Sequence, residues 1–260
     1  MIWRVGVAGS PVSHSLSPQL HEVGLRLAGL EGTSVRVELA RNDASRLRQL
    51  LQSDFDALSI TAPLKFEAFE QSDELSDVAR RTESVNSLLM RDGVLHGEST
   101  DGEGFINALR AQFGSVVEHA HAVVLGAGGA ASAVVDALVH HGVASVALHA
   151  RNELKVEELS DRYPNVFASS LVYRPVDLVV NTVPVAGRDR EAAVLQGVHP
   201  ETVAVDITYE PRVSSWRTLY DDVGCRTMNG LAMLAYQAAL QMQWWWGVEI
   251  DGAQLLEVIA

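Results

Sequence analysis

Two stretches of this 260-residue chain carry residue types at spacings suited to chemistry. The first is Gly126-Ala127-Gly128-Gly129-Ala130-Ala131. It follows the apolar run 122–125 and precedes Val134, Val135, Leu138 and Val139 at helical spacing. That order reads as strand, glycine turn and helix, and it approximates the dinucleotide fingerprint, with Gly126, Gly128 and Ala131 in the three small positions. Gly126 permits the tight turn, Gly128 lets a pyrophosphate approach the backbone, and Ala131 lets the helix pack close to its strand. Phosphates held there meet the positive end of the helix. The same string also suits a plain strand–helix turn in an α/β core. The second stretch is Ser13-His14-Ser15-Leu16-Ser17-Pro18, just past a first strand. Ligands of open α/β sheets bind beyond the carboxyl ends of strands, so Ser15 and Ser17 are placed to donate to a small carboxylate. Ser17 also reads as a helix N-cap ahead of a first-turn proline. Lys65 follows a strand end, Asp101 stands where helix caps stand, and Asn86 lies at a turn. Taken singly, these three read as a solvated charge, a cap and a turn residue.

The elements that must position these groups alternate along the chain. Residues 3–8 read as a strand, 34–39 as a second and 57–61 as a third, stopped by Pro63. Between them, Leu20, Val23, Gly24 and Leu27 mark one helix face, and Asp43 is placed to cap a helix running to about Gln52. Residues 76–82 form a short helix. Arg91-Asp92-Gly93 is a hairpin signal between strands 85–90 and 94–97. A helix then carries Phe105, Ile106, Leu109 and Phe113 on one face. After the glycine turn come strands at 145–149, 176–183, 202–207 and 226–228, with helices at 152–163 and 214–223. Sequential strand–helix–strand units imply a parallel sheet. The longest helix spans 231–247, with Gln237 and Gln241 off its apolar stripe, and a short one ends the chain.

Composition narrows the classes. Hydrophobic residues make up 47% and charged residues 20%, as in an ordinary globular chain. The formal charge of −13 disfavours nucleic acid as a partner, and an anionic ligand must then be held by local donors. One cysteine, Cys225, leaves no disulfide framework or cysteine-based zinc site, and the nine histidines lack metal-ligand spacing, so no metal is expected. We find no cleavable leader and no run long enough to span a membrane, which suits a reducing cytoplasm.

In combination, the motifs are far more specific. Gly9-Ser10-Pro11-Val12-Ser13-His14-Ser15-Leu16-Ser17-Pro18 is similar to the opening signature of the shikimate dehydrogenases. Thr61 to Lys65, Val85-Asn86, Thr100-Asp101-Gly102, the glycine turn, Asn181, Tyr209 and Asn229-Gly230-Leu231-Ala232-Met233-Leu234 up to Gln237 follow in that family's order. The resemblance covers essentially the whole chain. It implies an α/β fold: an N-terminal α/β substrate domain plus a Rossmann-like nucleotide-binding domain, with the active site in the interdomain cleft. The substrate domain would comprise 1–100 and 230–260, and the nucleotide domain 101–229. By the same resemblance, Lys65 and Asp101 form the catalytic pair, and Ser15, Ser17, Thr61, Asn86, Tyr209 and Gln237 bind substrate. Gly126, Ala127, Gly128, Gly129, Ala130, Arg151, Asn152, Asn181 and Gly230 would hold NADP.

The implied reaction is the reversible NADP-dependent reduction of 3-dehydroshikimate to shikimate, in chorismate and aromatic amino acid biosynthesis, by a monomer or homodimer. Hydride leaving a secondary alcohol requires loss of the hydroxyl proton, and the reverse requires a proton for the nascent alkoxide. A lysine ammonium donates, its amine accepts, and an aspartate holds it in line. The hydroxyl and amide set suits a polyol ring. NADP over NAD is read at His149-Ala150-Arg151-Asn152, where the acidic ribose partner of NAD enzymes is missing and Arg151 suits an extra phosphate. Three positions depart from the family pattern: Ser59 and Ser99 stand where asparagine is usual, and Ser87 where threonine is usual. The alternatives are a paralogue acting on quinate or another hydroxylated ring acid, and a non-catalytic nucleotide-binding protein. A methyltransferase would have no need of Ser15, Lys65, Asp101 and Gln237.

Overall fold

The computed structural model describes residues 2–168, 175–183 and 197–260. It divides into two units, Met1–Gly104 with Leu234–Ala260, and Phe105–Met233.

In the first unit, β1 (Ile2–Gly9) lies between β2 (Glu31–Glu38) and β3 (Ala57–Ile60), parallel to both. β5 (Ser87–Arg91) runs antiparallel to β3, β6 (Val94–Glu98) antiparallel to β5, and the two-residue β4 (Glu74–Leu75) closes the edge in the order β2-β1-β3-β5-β6-β4. Asp92 and Gly93 join β5 to β6 with φ of 51° and 80°, the paired positive values that a two-residue hairpin turn needs. Strand alternation sorts the side chains by face. Leu58, Ile60 and Leu88 pack with Leu47 and Leu51 of α2 (Arg46–Ser53). Ser59 and Ser87, opposite each other in register, point to the other face. α1 (Ser17–Leu27) buries Leu20, His21, Val23 and Leu25.

Two helix starts differ from expectation. Asp43 lies in a 3-10 turn, Arg41–Asp43, and α2 begins only at Arg46. Ala44, between the turn and the helix, is buried in the core. Ser17 is the first residue of α1, and Leu16 takes the cap position. The Ser17 amide donates to the Ser15 hydroxyl at 3.3 Å, and the cap position itself makes no side-chain hydrogen bond. The remaining helices of this unit include α3 (Lys65–Gln71), α4 (Asp77–Thr82) and the starting turn of α5 (Asp101–Phe113).

The second unit is a parallel α/β sheet. β7 (His121–Leu125), α6 (Gly129–His140), β8 (Ser145–His149), α7 (Glu153–Asp161) and β9 (Val166–Ala168) wind one way. β10 (Leu178–Asn181), β11 (Val203–Asp206), α8 (Ser215–Asp222) and β12 (Arg226–Met228) wind the other. The strand order is β12-β11-β10-β7-β8-β9, which reverses between β7 and β10. In such sheets the ligand crevice lies at the carboxyl ends of the two strands flanking the reversal. β10 and β11 are buried at every residue, as strands covered on both faces must be. β4 and β9 were not anticipated, because two or three residues are too few to show a period. α9 (Gly230–Trp246) and α10 (Gly252–Ile259) complete the chain. Among the described residues, no helix is long and apolar enough to cross a membrane, and no group of side chains is arranged to hold a metal ion.

Candidate active site

Lys65 is the first residue of α3. A cation there meets the positive end of the helix, so local electrostatics alone would not place a lysine at this point. Asp101 opens α5, where an anion is favoured. The two meet: Lys65 Nζ donates to Asp101 Oδ2, with side chains 17% and 7% exposed. An ion pair this dry is favourable only if its remaining valences are filled. Asn86 fills one, donating Nδ2 to Asp101 Oδ1 at 2.9 Å and to Gln237 Oε1 at 3.0 Å. Its Oδ1 accepts the Thr100 amide at 2.8 Å, which fixes which way the Asn86 amide points.

Each member is held by its backbone. Asn86 sits between strands, its N–H donating to Glu98 O at 3.1 Å and its C=O accepting from Ile60 at 2.7 Å. Gln237 is brought in by α9, which approaches the start of α5 so closely that a Cβ on Gly104 would lie 2.6 Å from the Gln237 Cα. Thr100 ties the two, donating its hydroxyl to the Gln237 carbonyl at 3.1 Å.

Ser15 and Ser17 are both buried, and Ser15 Oγ donates to Ser17 Oγ at 3.2 Å. Edge strand β2 pins this loop: Arg36 donates Nε and Nη2 to the Ser15 carbonyl at 3.0 and 2.6 Å, and Glu38 accepts the Val12 amide at 3.1 Å. The Ser10 hydroxyl, then that amide, hold the Glu38 carboxyl below its ordinary range. Ser10 N–H donates to Ala62 O at 3.0 Å, joining the segments that follow β1 and β3. Ser15, Ser17, Thr61 and Lys65 therefore all lie beyond the carboxyl ends of two adjacent parallel strands. The group offers hydroxyls for a carboxylate, amides and hydroxyls for a polyol, and one ammonium able to move a proton.

Sequence reasoning passed over a buried polar line behind this group. His21 lies within the apolar face of α1 and is wholly buried. Its Nδ1 lies 2.8 Å from Ser34 Oγ, its Nε2 3.0 Å from Ser59 Oγ, and its ring meets Trp245 edge-on at 5.2 Å. Ser59 Oγ donates to Gln241 Oε1, and Gln241 Nε2 donates to the Asn86 carbonyl at 2.8 Å. The signals available were a histidine inside an apolar stripe and glutamines four apart on one helix. Of the three serine departures, Ser59 belongs to this line. The Ser87 and Ser99 hydroxyls are buried without a hydrogen-bond partner, and Asp101 is held by Lys65 and Asn86 without them.

Burial lowers the His21 pKa from 6.5 to about 4, against the opposing effect of Gln241. The unfolded chain therefore binds this proton first as pH falls, and stability is full above about pH 6.5 and lost toward pH 4. The expected loss from this residue is about 3 kcal/mol. Denaturant midpoints taken from about pH 7 down to about pH 4.5 should show it as the part of the slope missing in His21→Gln. An unchanged slope in that variant would assign the loss to other groups.

In the second unit the expected cofactor residues gather at two strand ends. Gly126 holds φ of +115°, and its N–H donates to His149 O at 2.7 Å, bringing the segment after β8 beside the glycine turn. Thr182 closes the turn from β10, donating Oγ1 to Leu125 O at 2.7 Å. Gly128 is the N-cap of α6, and a Cβ on it would meet no atom of the described residues within 4 Å, while Ala131 is fully buried. Among the described residues, open space at the N-terminus of a twelve-residue helix fits a pyrophosphate. Arg151 is exposed beside that turn, and Asn152 caps α7 by accepting the Lys155 amide at 3.2 Å.

The other expected residues are placed differently. Asn181 donates to Asp206 Oδ1 at 3.3 Å and accepts the Val183 amide at 3.1 Å. Asp206, also missed, accepts from Thr208 at 2.8 Å and Ser214 at 2.5 Å as well. Gly230 donates to Thr208 O at 3.0 Å, with the Ile207 carbonyl where a Cβ would stand. Tyr209 follows β11 and belongs to the second unit, whereas Ser15, Ser17, Thr61, Lys65, Asn86, Asp101 and Gln237 all belong to the first.

A sequence profile described as the shikimate dehydrogenase substrate binding domain matches residues 7–88. The chain is 34% identical to the shikimate dehydrogenase (NADP(+)) of Roseobacter denitrificans, over 95% of this chain and 93% of that one. It is 32% identical to the protein of the same name from an Exiguobacterium strain, over 98% of each. Among solved structures, it superposes on the shikimate 5-dehydrogenase of Thermus thermophilus, crystallised with NADP(H) and shikimate. That match has a TM-score of 0.87 and 32% identity, and covers 98% of this chain and 97% of the other.

Proposed function

Because the chain belongs to the shikimate dehydrogenase family, we propose that it catalyses the reversible NADP-dependent reduction of 3-dehydroshikimate to shikimate. The observation that carries this reading is the Lys65–Asp101 ion pair, placed against the α3 dipole and completed by Asn86. NADPH, when bound, supplies the hydride. Lys65 Nζ delivers a proton to the carbonyl oxygen as it becomes an alkoxide, and takes the hydroxyl proton in the reverse direction. Asp101 holds Nζ in place. Ser15 and Ser17 hold the substrate carboxylate through hydroxyl donors, since the chain's net charge of −13 works against any anion. Thr61, Asn86 and Gln237 bind the ring substituents, the amides distinguishing donor from acceptor positions. A single cysteine and the soluble character of the composition accord with a cytoplasmic enzyme.

For NADP, the turn 126–130 and the N-terminus of α6 hold the pyrophosphate, Asn152 supports the following loop, and Asn181 and Gly230 shape the ends of the neighbouring strands. Arg151 takes the 2′-phosphate. Loss of charge-assisted hydrogen bonds to a phosphate predicts that Arg151→Ala raises KM for NADP by about 10- to 100-fold while leaving KM for NAD nearly unchanged. Equal losses for both cofactors would remove Arg151 from the phosphate site. The function itself is tested by following NADP reduction with shikimate, with quinate and NAD in parallel. Rapid, NADP-preferring oxidation of shikimate supports the reading. Turnover of quinate alone, or NADP binding without turnover of either acid, would replace it.

A further inference from the structure

The polar line behind the active site has a defined direction. The Asn86 carbonyl can only accept, so Gln241 must turn its amide nitrogen toward it, 2.8 Å away. Gln241 Oε1 then faces Ser59, whose single hydroxyl proton must go to it. Ser59 Oγ is thereby left as an acceptor for His21 Nε2–H at 3.0 Å. In a neutral ring His21 Nδ1 must accept, and Ser34 Oγ lies 2.8 Å away to donate. Every link is therefore determined: Ser34 to His21, His21 to Ser59, Ser59 to Gln241, Gln241 to Asn86. The members are 0% (His21), 7% (Ser59), 1% (Gln241) and 3% (Asn86) exposed. The links span 38, 182 and 155 residues of sequence, so no local turn requires them.

We propose that His21, Ser59 and Gln241 act as one positioning chain that fixes the Asn86 backbone, and through its side chain sets Asp101 and Gln237 for catalysis. The inference rests on the reaction proposed above. Asn86 is the branch point: its carbonyl takes the end of the chain together with Ile60 N–H, and its amide nitrogen serves Asp101 and Gln237. A shift of Asn86 thus moves both partners of the reacting groups at once. Misplacement at this scale costs turnover more than ground-state binding.

The test uses the full-length enzyme with Ser59→Ala, Gln241→Met, the double variant, and Ser59→Thr, which keeps the hydroxyl. Leu47→Ala, in the core on the opposite face of the sheet, serves as the control for lost stability alone. Rates are taken below all unfolding transitions. Ser59→Ala and Gln241→Met should each lower kcat for shikimate by about 10- to 100-fold, with NADP Kd within about twofold. The double variant should be no slower than the slower single variant, because members of one chain are not additive. Ser59→Thr should stay within about threefold of the parent, and Leu47→Ala should lose Tm but not kcat. Additive losses, or a kcat loss no larger than that of Leu47→Ala at equal Tm, would overturn the proposal. Nitrogen NMR of the His21 ring gives a readout independent of activity: the proton must sit on Nε2, and a proton on Nδ1 alone would reverse the chain and sink it. If the parent enzyme does not turn over shikimate, the reaction assigned above fails. The positioning chain then stands only if the Asn86 side-chain amide exchanges faster in Ser59→Ala than in Leu47→Ala.

Discussion

Lys65→Ala should lower kcat for shikimate oxidation by about 10³- to 10⁴-fold while NADP affinity stays within about twofold. The expectation follows from position. Lys65 carries the ammonium of the substrate-side group, begins α3 against its dipole, and is held there by Asp101. A side chain kept in an unfavourable field and largely removed from water has a chemical task rather than a solvation one. Its removal also strands the Asp101 carboxylate, only 7% exposed, so some loss of Tm should accompany the loss of rate. Steady-state rates, a cofactor titration and a melting curve on the same preparation separate these effects. Partial rescue of the rate by a small primary amine would show that the missing group is the proton carrier. A variant retaining near-parental turnover would remove Lys65 from the reaction.

Asp101→Asn should cost about 10²- to 10³-fold in kcat with little change in overall fold. The side chain is nearly isosteric, yet it replaces one carboxylate oxygen by an NH₂ donor. Asp101 now accepts on both oxygens, from Lys65 on one and Asn86 on the other. An asparagine at this position must point its nitrogen at one of two donors whichever way it turns. Either Lys65 loses its anchor or Asn86 does. Combined with Lys65→Ala, the substitution should add little, since both remove the same pair. Independent, multiplying losses in the double variant would argue that the two residues act in separate steps.

Much of this site was legible before any coordinates because its signals are local. The glycine turn lies between an apolar strand and an apolar helix, and Gly126 takes the positive φ expected of a tight turn. Asp92-Gly93 makes its hairpin from two adjacent residues. Lys65, Asn86, Asp101 and Gln237 could be named from motif order, and the structure brings these four together. Two helix starts were read less well. Ser17 stands one residue inside its helix, with Leu16 in the cap position. Asp43 lies in a 3-10 turn, and the helix it was expected to cap starts three residues later, at Arg46.

By itself, then, the sequence determined the α/β alternation, the glycine turn between strand and helix, and the lysine and aspartate that meet as an ion pair and are proposed to transfer the proton, all of which arise from residues a few positions apart or from motifs in fixed order. The tertiary structure alone decided the direction of the Asn86 amide, the tautomer of His21 and the bonding of Ser59 and Gln241. Those choices depend on which donor faces which acceptor across separations of 13 to 182 residues, and only packing brings such groups within hydrogen-bond reach.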